Sequence, residues 1–382
     1  MPLADVPNGS APVADASINL PIFDVSIETP EIGKALIAAA AKWGFLWIAG
    51  SPDPKTTSAT ANGASDARHY EFDDKTVDDV FALSKKFFLE ASPEEKQACS
   101  IKHNRGYVGM HVENLDPSKH SRGDFKQAFN LAEPQEGKWW QPMPSVFSAE
   151  EEFLIDFHKR CRSMSERILR LMAMGLEISD TDWLVSRHKA GSQSTRFLYY
   201  PSLPKDSDYN AAADIRAGAH SDYGTITLLF QRPGQPGLEL LTPDGSWASV
   251  PIFPPNYHSS TFPPIVVNIG DLLSYWTNGL LRSTIHRVIL TNETEGSKLG
   301  EDRFSLAVFI GPRDETELVP MPSRLVAERA AEFAAGEGKT IGHGGGVSKV
   351  EKMTTMTAGE HLSNRLQATY GAVYQPEVKS SA

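Results

Sequence analysis

Between Thr195 and Ile310 the chain reads TRFLYY (195–200), TITLLF (225–230), GLELL (237–241), WASVPI (247–252), IVVNI (265–269), HRVIL (286–290) and FSLAVFI (304–310). Each run is short and largely apolar, most are rich in β-branched or aromatic side chains, and each is followed within three residues by Gly, Pro or Asn. Runs of this kind in close succession predict a sandwich or barrel rather than βαβ units.

Helical patterns flank the runs on both sides. Upstream, Phe153, Leu154, Phe157, Cys161, Met164, Ile168, Leu169 and Met172 recur at three-to-four spacing, which predicts a long scaffold helix over 149–176. Pro30 opens an Ala-rich helix that Gly44 ends, and FLWI (45–48) follows as a buried strand. A strand over 18–25 carries Pro21 and belongs at an edge. Helices are expected over 77–89 and from Glu94 onward, where Ser92, Pro93 and Glu95 form a capping-box start. Downstream, 324–335 and 358–374 read as helical, separated by the Gly-rich stretch 342–346. The expected organisation is a flexible arm (1–17), a mixed N-terminal region (18–187) with a polar insertion at 51–75, a β core (188–313) and a helical extension (314–382).

Composition narrows the function. The 382 residues carry a net charge of −11, with no Lys/Arg-dense stripe, so nucleic-acid binding is not expected. Two cysteines make neither a disulfide scaffold nor a zinc ribbon. No window resembles a signal peptide or a membrane span, which points to a soluble, cytoplasmic protein.

Within the β-rich stretch, His220 and Asp222 are two residues apart and so share one face of an extended segment. His286, from another run, can complete a triangle. Two imidazoles and one carboxylate on one face of a metal suit non-haem Fe(II), with three positions left for a bidentate co-substrate and O2; zinc would take three ligands and a water, often with a further His or Cys. His69, His103, His120, His258, His343 and His361 read as surface or loop residues. Arg303 and Ser305 again share a strand face, aimed into an apolar barrel. A buried guanidinium needs an anion, and the distal carboxylate of a dicarboxylic oxo-acid fits, with Ser305 adding a hydrogen bond. The competing reading of Arg303 is a salt bridge to Glu301 or Asp302.

An ordered series of motifs now carries a resemblance. It comprises Leu20-Pro21-Ile22-Phe23-Asp24-Val25, Trp43-Gly44-Phe45-Leu46, Tyr199-Tyr200-Pro201, His220-Ser221-Asp222-Tyr223-Gly224, Gly237-Leu238-Glu239-Leu240 with Trp247, Val267-Asn268-Ile269-Gly270-Asp271, Ser283-Thr284-Ile285-His286-Arg287 and Arg303-Phe304-Ser305. Over most of its length the chain resembles the 2-oxoglutarate/Fe(II)-dependent dioxygenases of the isopenicillin N synthase-like type. The text of 220–231 and the C-terminal helix are similar to the fungal thymine dioxygenase-like members. The resemblance implies a mainly β fold with flanking helices around a double-stranded β-helix (jelly roll). It implies that His220, Asp222 and His286 hold Fe(II), that Arg303 and Ser305 grip 2-oxoglutarate, and that Tyr200 assists that carboxylate. One departure stands out: the family's Asn-His-Gly after the first buried strand is replaced by Ile48-Ala49-Gly50.

The implied reaction uses O2 and 2-oxoglutarate to oxidise a C–H bond of a small organic molecule, releasing succinate and CO2. Hydroxylation is the default outcome, desaturation or cyclisation the variants, and specialised metabolism the expected setting. For the substrate, Tyr223 and Phe309 offer aromatic walls to a planar molecule, and Arg196, on the strand face of Tyr200, offers donors. Asn104, Tyr107 and Lys126 come from the N-terminal region that covers the site in this family, although Lys126 reads as a solvated surface residue. The alternatives are a same-fold Fe(II) oxidase that does not use 2-oxoglutarate, a nucleobase-type hydroxylase, and a non-catalytic jelly-roll binding protein. Oligomeric state is not legible.

Overall fold

The structure of the protein is a computed structural model that describes residues 17–49, 71–117, 119–189, 193–204, 206–210, 214–255, 257, 262–291, 298–334 and 356–370. The expected arm (1–16), most of the polar insertion (51–70) and the Gly-rich stretch 342–346 lie outside these residues.

In chain order the N-terminal part forms β1 (Ile22–Phe23), α1 (Pro30–Trp43), β2 (Phe45–Ile48), α2 (Asp74–Glu90), α3 (Pro93–Ala98), β3 (Gly106–Val108), β4 (Gln127–Ala132), α4 (Ser145–Ser148) and α5 (Glu151–Gly175). The β-rich part follows with β5 (Gln193–Tyr200), β6 (Leu203–Pro204), β7 (Ala217–His220), β8 (Ile226–Phe230), β9 (Leu238–Leu241), β10 (Trp247–Ser249), β11 (Ile265–Ile269), α6 (Asp271–Trp276), β12 (His286–Val288), β13 (Lys298–Leu299) and β14 (Arg303–Ile310). Two helices, α7 (Arg324–Ala334) and α8 (Ala358–Tyr370), end the described chain.

An eight-stranded sheet runs β1-β2-β11-β8-β14-β5-β4-β3, and a four-stranded sheet runs β10-β9-β12-β7. Strands from the N-terminal region thus extend the sheet of the β core at both ends. β1 takes the expected edge, pairing with β2 alone. Strand alternation decides what each face does. On β5 and β14 the even series Ser194, Arg196, Leu198, Tyr200 and the odd series Arg303, Ser305, Ala307, Phe309 line one cavity with residues of the smaller sheet. The opposite series Phe197, Tyr199, Phe304, Leu306 and Val308 belongs to the main hydrophobic core, together with α1, α2 and α5. The register pairs Arg303 with Tyr200 and Ala307 with Arg196, so the two cavity-facing series stand side by side.

Helix α5 is the predicted scaffold, with Leu154, Phe157, Cys161, Met164, Ile168, Leu169 and Met172 buried; Phe153 is only partly so. It crosses α1 so closely that a Cβ on Gly175 would lie 2.2 Å from the Gly33 carbonyl oxygen. Thr29 caps α1 by accepting from the Ile32 N–H, and Gly44 ends it at φ 65°.

Some expectations need correction. The insertion stops earlier than 75: Phe72 is buried in the core, Glu71 pairs with Arg167 at 2.8 Å, and α2 begins at Asp74. Ser92 caps α3 as expected, but the Glu95 carboxylate reaches the Ser145 N–H instead of closing the box. His361 is buried against Tyr275, not exposed. Among the described residues no helix is long and apolar enough to cross a membrane.

Candidate active site

The sheets enclose a cavity of about 400 Å³ that His220, Asp222 and His286 all line. His220 ends β7, His286 begins β12, and the two are direct partners in the antiparallel ladder, so the pairing sets their rings 4.3 Å apart. Asp222 lies past the end of β7. Its approach is therefore not a consequence of strand alternation. The backbone is turned there by α6, whose Asp271 N–H donates to the Asp222 carbonyl at 2.7 Å and whose Leu272 N–H donates to those of Tyr223 and Gly224. Asp222 Oδ1 then sits 4.0 Å from His220 Nε2 and 3.9 Å from His286 Nε2.

The outer hydrogen bonds orient all three donors. His220 Nδ1 meets the Gly218 carbonyl at 2.7 Å, and His286 Nδ1 meets the Thr284 carbonyl at 3.1 Å. A carbonyl only accepts, so each Nδ1 carries the proton and each Nε2 presents its lone pair to the centre. Asp222 Oδ2 accepts from Thr227 Oγ1 at 2.6 Å and from Asn268 Nδ2 at 2.7 Å, which leaves Oδ1 facing the imidazoles. Burial first, then the neighbouring His286, pushes His220 down to about 3, so its ring is neutral at pH 7. Burial alone would raise Asp222, yet the two imidazoles and its two hydrogen bonds hold it below the ordinary carboxylate value. A two-nitrogen, one-carboxylate donor set, with ligand atoms mutually within 4.8 Å, fits a divalent ion that favours the facial arrangement.

Arg303 is 1% exposed and lines the same cavity. It donates to Ser305 Oγ at 3.1 Å and to Gln231 Oε1 at 3.3 Å, and its Cζ lies 5.1 Å from the Tyr200 ring centre. Its Nε has no hydrogen-bond partner. No ion pair joins Arg303 to a carboxylate among the described residues; Asp302 instead accepts from the Ser202 N–H, and Arg216 takes the Glu301 carbonyl. The salt-bridge reading is thus set aside. Burial pulls the guanidinium below its ordinary value, the cost of a charge held without a counter-ion. A dicarboxylate end would supply what is missing, so these residues fit 2-oxoglutarate as the triad fits iron.

Of the expected substrate residues, Arg196, Tyr223, Phe309 and Asn104 line the cavity. Tyr107 is not among the lining residues; its hydroxyl donates to Gln127 Oε1 at 2.6 Å and its ring packs edge-on to Phe87. Arg196 is paired with Glu113. Lys126 corrects the sequence reading most: it is 3% exposed, lines the cavity, and lies 2.5 Å from Asp124 and 3.3 Å from Glu113. A lone Lys in a polar stretch looks solvated until the fold brings acids to it.

Other residues escaped the sequence reading. Thr227 and Asn268 lay in quoted motifs, but their bond to Asp222 depends on neighbouring strands β8 and β11. Asp271 accepts from Ser221 and Ser283 and pairs with Arg365 of α8 at 2.6 Å, while Arg365 also lies over the Tyr223 ring. Leu362 and Leu366 bring α8 to the cavity wall.

The known proteins agree with this geometry. Residues 191–312 match the model of the 2OG-Fe(II) oxygenase superfamily, and residues 20–146 match that of the non-haem dioxygenase in morphine synthesis N-terminal region. A UPF0676 protein of Schizosaccharomyces pombe is 32% identical over 94% of this chain and 96% of its own length. The 2-oxoglutarate-dependent dioxygenase frbA of Dothideomycetidae sp. is 30% identical over 66% of this chain and 77% of its own. Among solved structures, the thymine 7-hydroxylase of Neurospora crassa in complex with alpha-KG and thymine superposes with a TM-score of 0.70 at 25% identity, covering 94% of this chain and 98% of that one. With motif order, jelly-roll architecture and full-length relatives in agreement, the chain belongs to the 2OG-Fe(II) oxygenase superfamily and is a 2-oxoglutarate-dependent non-haem dioxygenase.

Proposed function

We propose that His220, Asp222 and His286 hold the iron, that Arg303, Ser305 and Tyr200 receive the distal carboxylate of 2-oxoglutarate, and that the enzyme hydroxylates a small planar molecule of specialised metabolism. The observation that carries the reading is Arg303: a fully buried guanidinium without a carboxylate, opening onto the cavity that the triad lines. When bound, iron and 2-oxoglutarate supply the oxidising power, using O2 and yielding succinate and CO2.

The chain's own residues do the rest by placement. Gly218 and Thr284 carbonyls fix the tautomer of the two imidazoles, and Thr227 and Asn268 fix the carboxylate rotamer. Ser305, already bonded to Arg303, has a hydroxyl proton to offer an incoming carboxylate. Tyr200 backs the guanidinium with its ring. Leu198, Leu229, Ala307 and Val288 give the same cavity an apolar lining. Tyr223 and Phe309 suit a planar guest, of which the thymine bound by the Neurospora crassa enzyme is an example, and Asn104 and Arg196 supply polar contacts. The test is substrate-dependent succinate formation by the purified protein: stoichiometric succinate and hydroxylated product are expected, and product formed without succinate would refute the assigned role of Arg303.

A further inference from the structure

One wall of the cavity carries a charge arrangement that neither metal nor 2-oxoglutarate requires. Glu113 Oε2 takes both cations there, Arg196 and, at 3.3 Å, Lys126. Its other oxygen, Oε1, receives no hydrogen bond from the described residues, and Glu113 lines the cavity. The carboxyl group stays ionised at every working pH: burial opposes it, but Arg196 and Lys126 hold it down to about 2. An ionised carboxylate only accepts, so Oε1 can be matched only by a donor.

The charge balance sets a second condition. Within this wall the cations are Lys126 and Arg196, and the carboxylates that match them are Glu113 and Asp124, with Asp124 held 2.5 Å from Lys126. Two of each sign cancel, so this wall offers no surplus charge. A divalent metal and a 2-oxoglutarate dianion also cancel each other. A guest with net charge placed against this buried wall would find no surplus charge of opposite sign to offset its desolvation, which is disfavoured.

Resting on the site assignment above, we infer that the substrate is a net-uncharged molecule that donates an N–H or O–H hydrogen bond to Glu113 and accepts one from the Arg196–Lys126 side of the same cluster. Glu113 is thereby the specificity-determining residue against carboxylates and phosphates. A neutral amide, lactam or phenol satisfies the requirement, and a carboxylate meets Glu113 as a like charge.

The experiment uses three planar probes of one shape: benzamide, benzoate and benzamidine. Their binding to the protein loaded anaerobically with metal and 2-oxoglutarate is measured by ligand-observed NMR titration. Benzamide is expected to bind at least tenfold more tightly than benzoate. Glu113→Gln, which leaves one cation in excess, is expected to shift that ratio at least tenfold towards benzoate. Lys126→Met, which leaves one carboxylate in excess, is expected to shift preference towards the benzamidinium ion and serves where Glu113→Gln does not fold. Benzoate binding as tightly as benzamide, a ratio unmoved by both variants, or no binding by any probe would overturn the inference. A parallel 2-oxoglutarate titration keeps the two readings apart: intact co-substrate binding with an unmoved ratio sinks this inference alone, whereas absent co-substrate binding in the wild type sinks the site assignment.

Discussion

Replacing Arg303 by Met separates two effects that the structure places on one side chain. In the protein without ligand, Arg303 is 1% exposed, makes hydrogen bonds of 3.1 and 3.3 Å to neutral partners, and faces no carboxylate. Its charge is therefore a cost to folding. Replacing such a group by an apolar side chain of similar length is expected to leave stability unchanged or to raise it by ~1 kcal/mol. With 2-oxoglutarate the sign reverses. A charged donor contributes ~1.5–3 kcal/mol per hydrogen bond, and loss of a forked clamp partly compensated by Ser305 comes to ~3 kcal/mol, or ~150-fold in Kd. Ligand linkage makes the contrast measurable: co-substrate at 100 times the wild-type Kd stabilises the wild type by ~2.7 kcal/mol and the variant by only ~0.3 kcal/mol. Anaerobic calorimetry gives the Kd, and urea unfolding with and without 2-oxoglutarate gives the linkage. A Met variant that binds within threefold of wild type, or that loses several kcal/mol without ligand, would refute the reasoning.

Three further outcomes are expected. Asn268→Ala removes one of two bonds that orient Asp222, and should weaken metal affinity ~10–100-fold while circular dichroism stays unchanged; metal titration checks it. Gly175→Ala places a methyl 2.2 Å from the Gly33 carbonyl oxygen and should cost ~1–3 kcal/mol in urea unfolding, since backbone on both helices must shift. His158 and His188 are buried and held down to about 3 and about 4, chiefly by desolvation, so the native state binds fewer protons than the unfolded chain between those values and ~6.5. Stability is then present above pH ~6.5 and is lost as pH falls: from 7.5 to 5.5 these two rings alone should remove ~3 kcal/mol, and a flat urea profile over that range would contradict their burial as neutral groups.

What the amino-acid order made legible follows its physical range. Strand periodicity identified the cavity-facing series of β14, and hence Arg303, Ser305 and Phe309, and set Arg196 on the face of Tyr200, which the family resemblance supplied, because side-chain direction in a strand is a local property. Helix ends were equally local: Gly44 at φ 65° stops α1 and Ser92 caps the start of α3, as read. Asp222 was found for a partly wrong reason. Its distance in sequence from His220 was informative, but the turn that aims it comes from α6, far along the chain. Lys126 and His361 were misplaced for a related cause: polarity argues for solvent unless a remote partner changes the balance, and Glu113, Asp124 and Tyr275 become partners only after folding. Tyr107 failed differently, since membership of a covering segment does not fix which way a side chain turns, and here it bonds to Gln127. The Arg365–Asp271 pair, spanning α8 and α6, carried no local signal at all.

The central claim is that three donor atoms and one buried guanidinium form a single site for iron and 2-oxoglutarate. Anaerobic addition of Fe(II) and 2-oxoglutarate to the purified protein tests it through the charge-transfer absorption of the chelate. One equivalent of each is expected to develop the band in the wild type, and Asp222→Ala is expected to abolish it with the fold retained. A band of full intensity in that variant, or none in a folded wild type, would contradict the account.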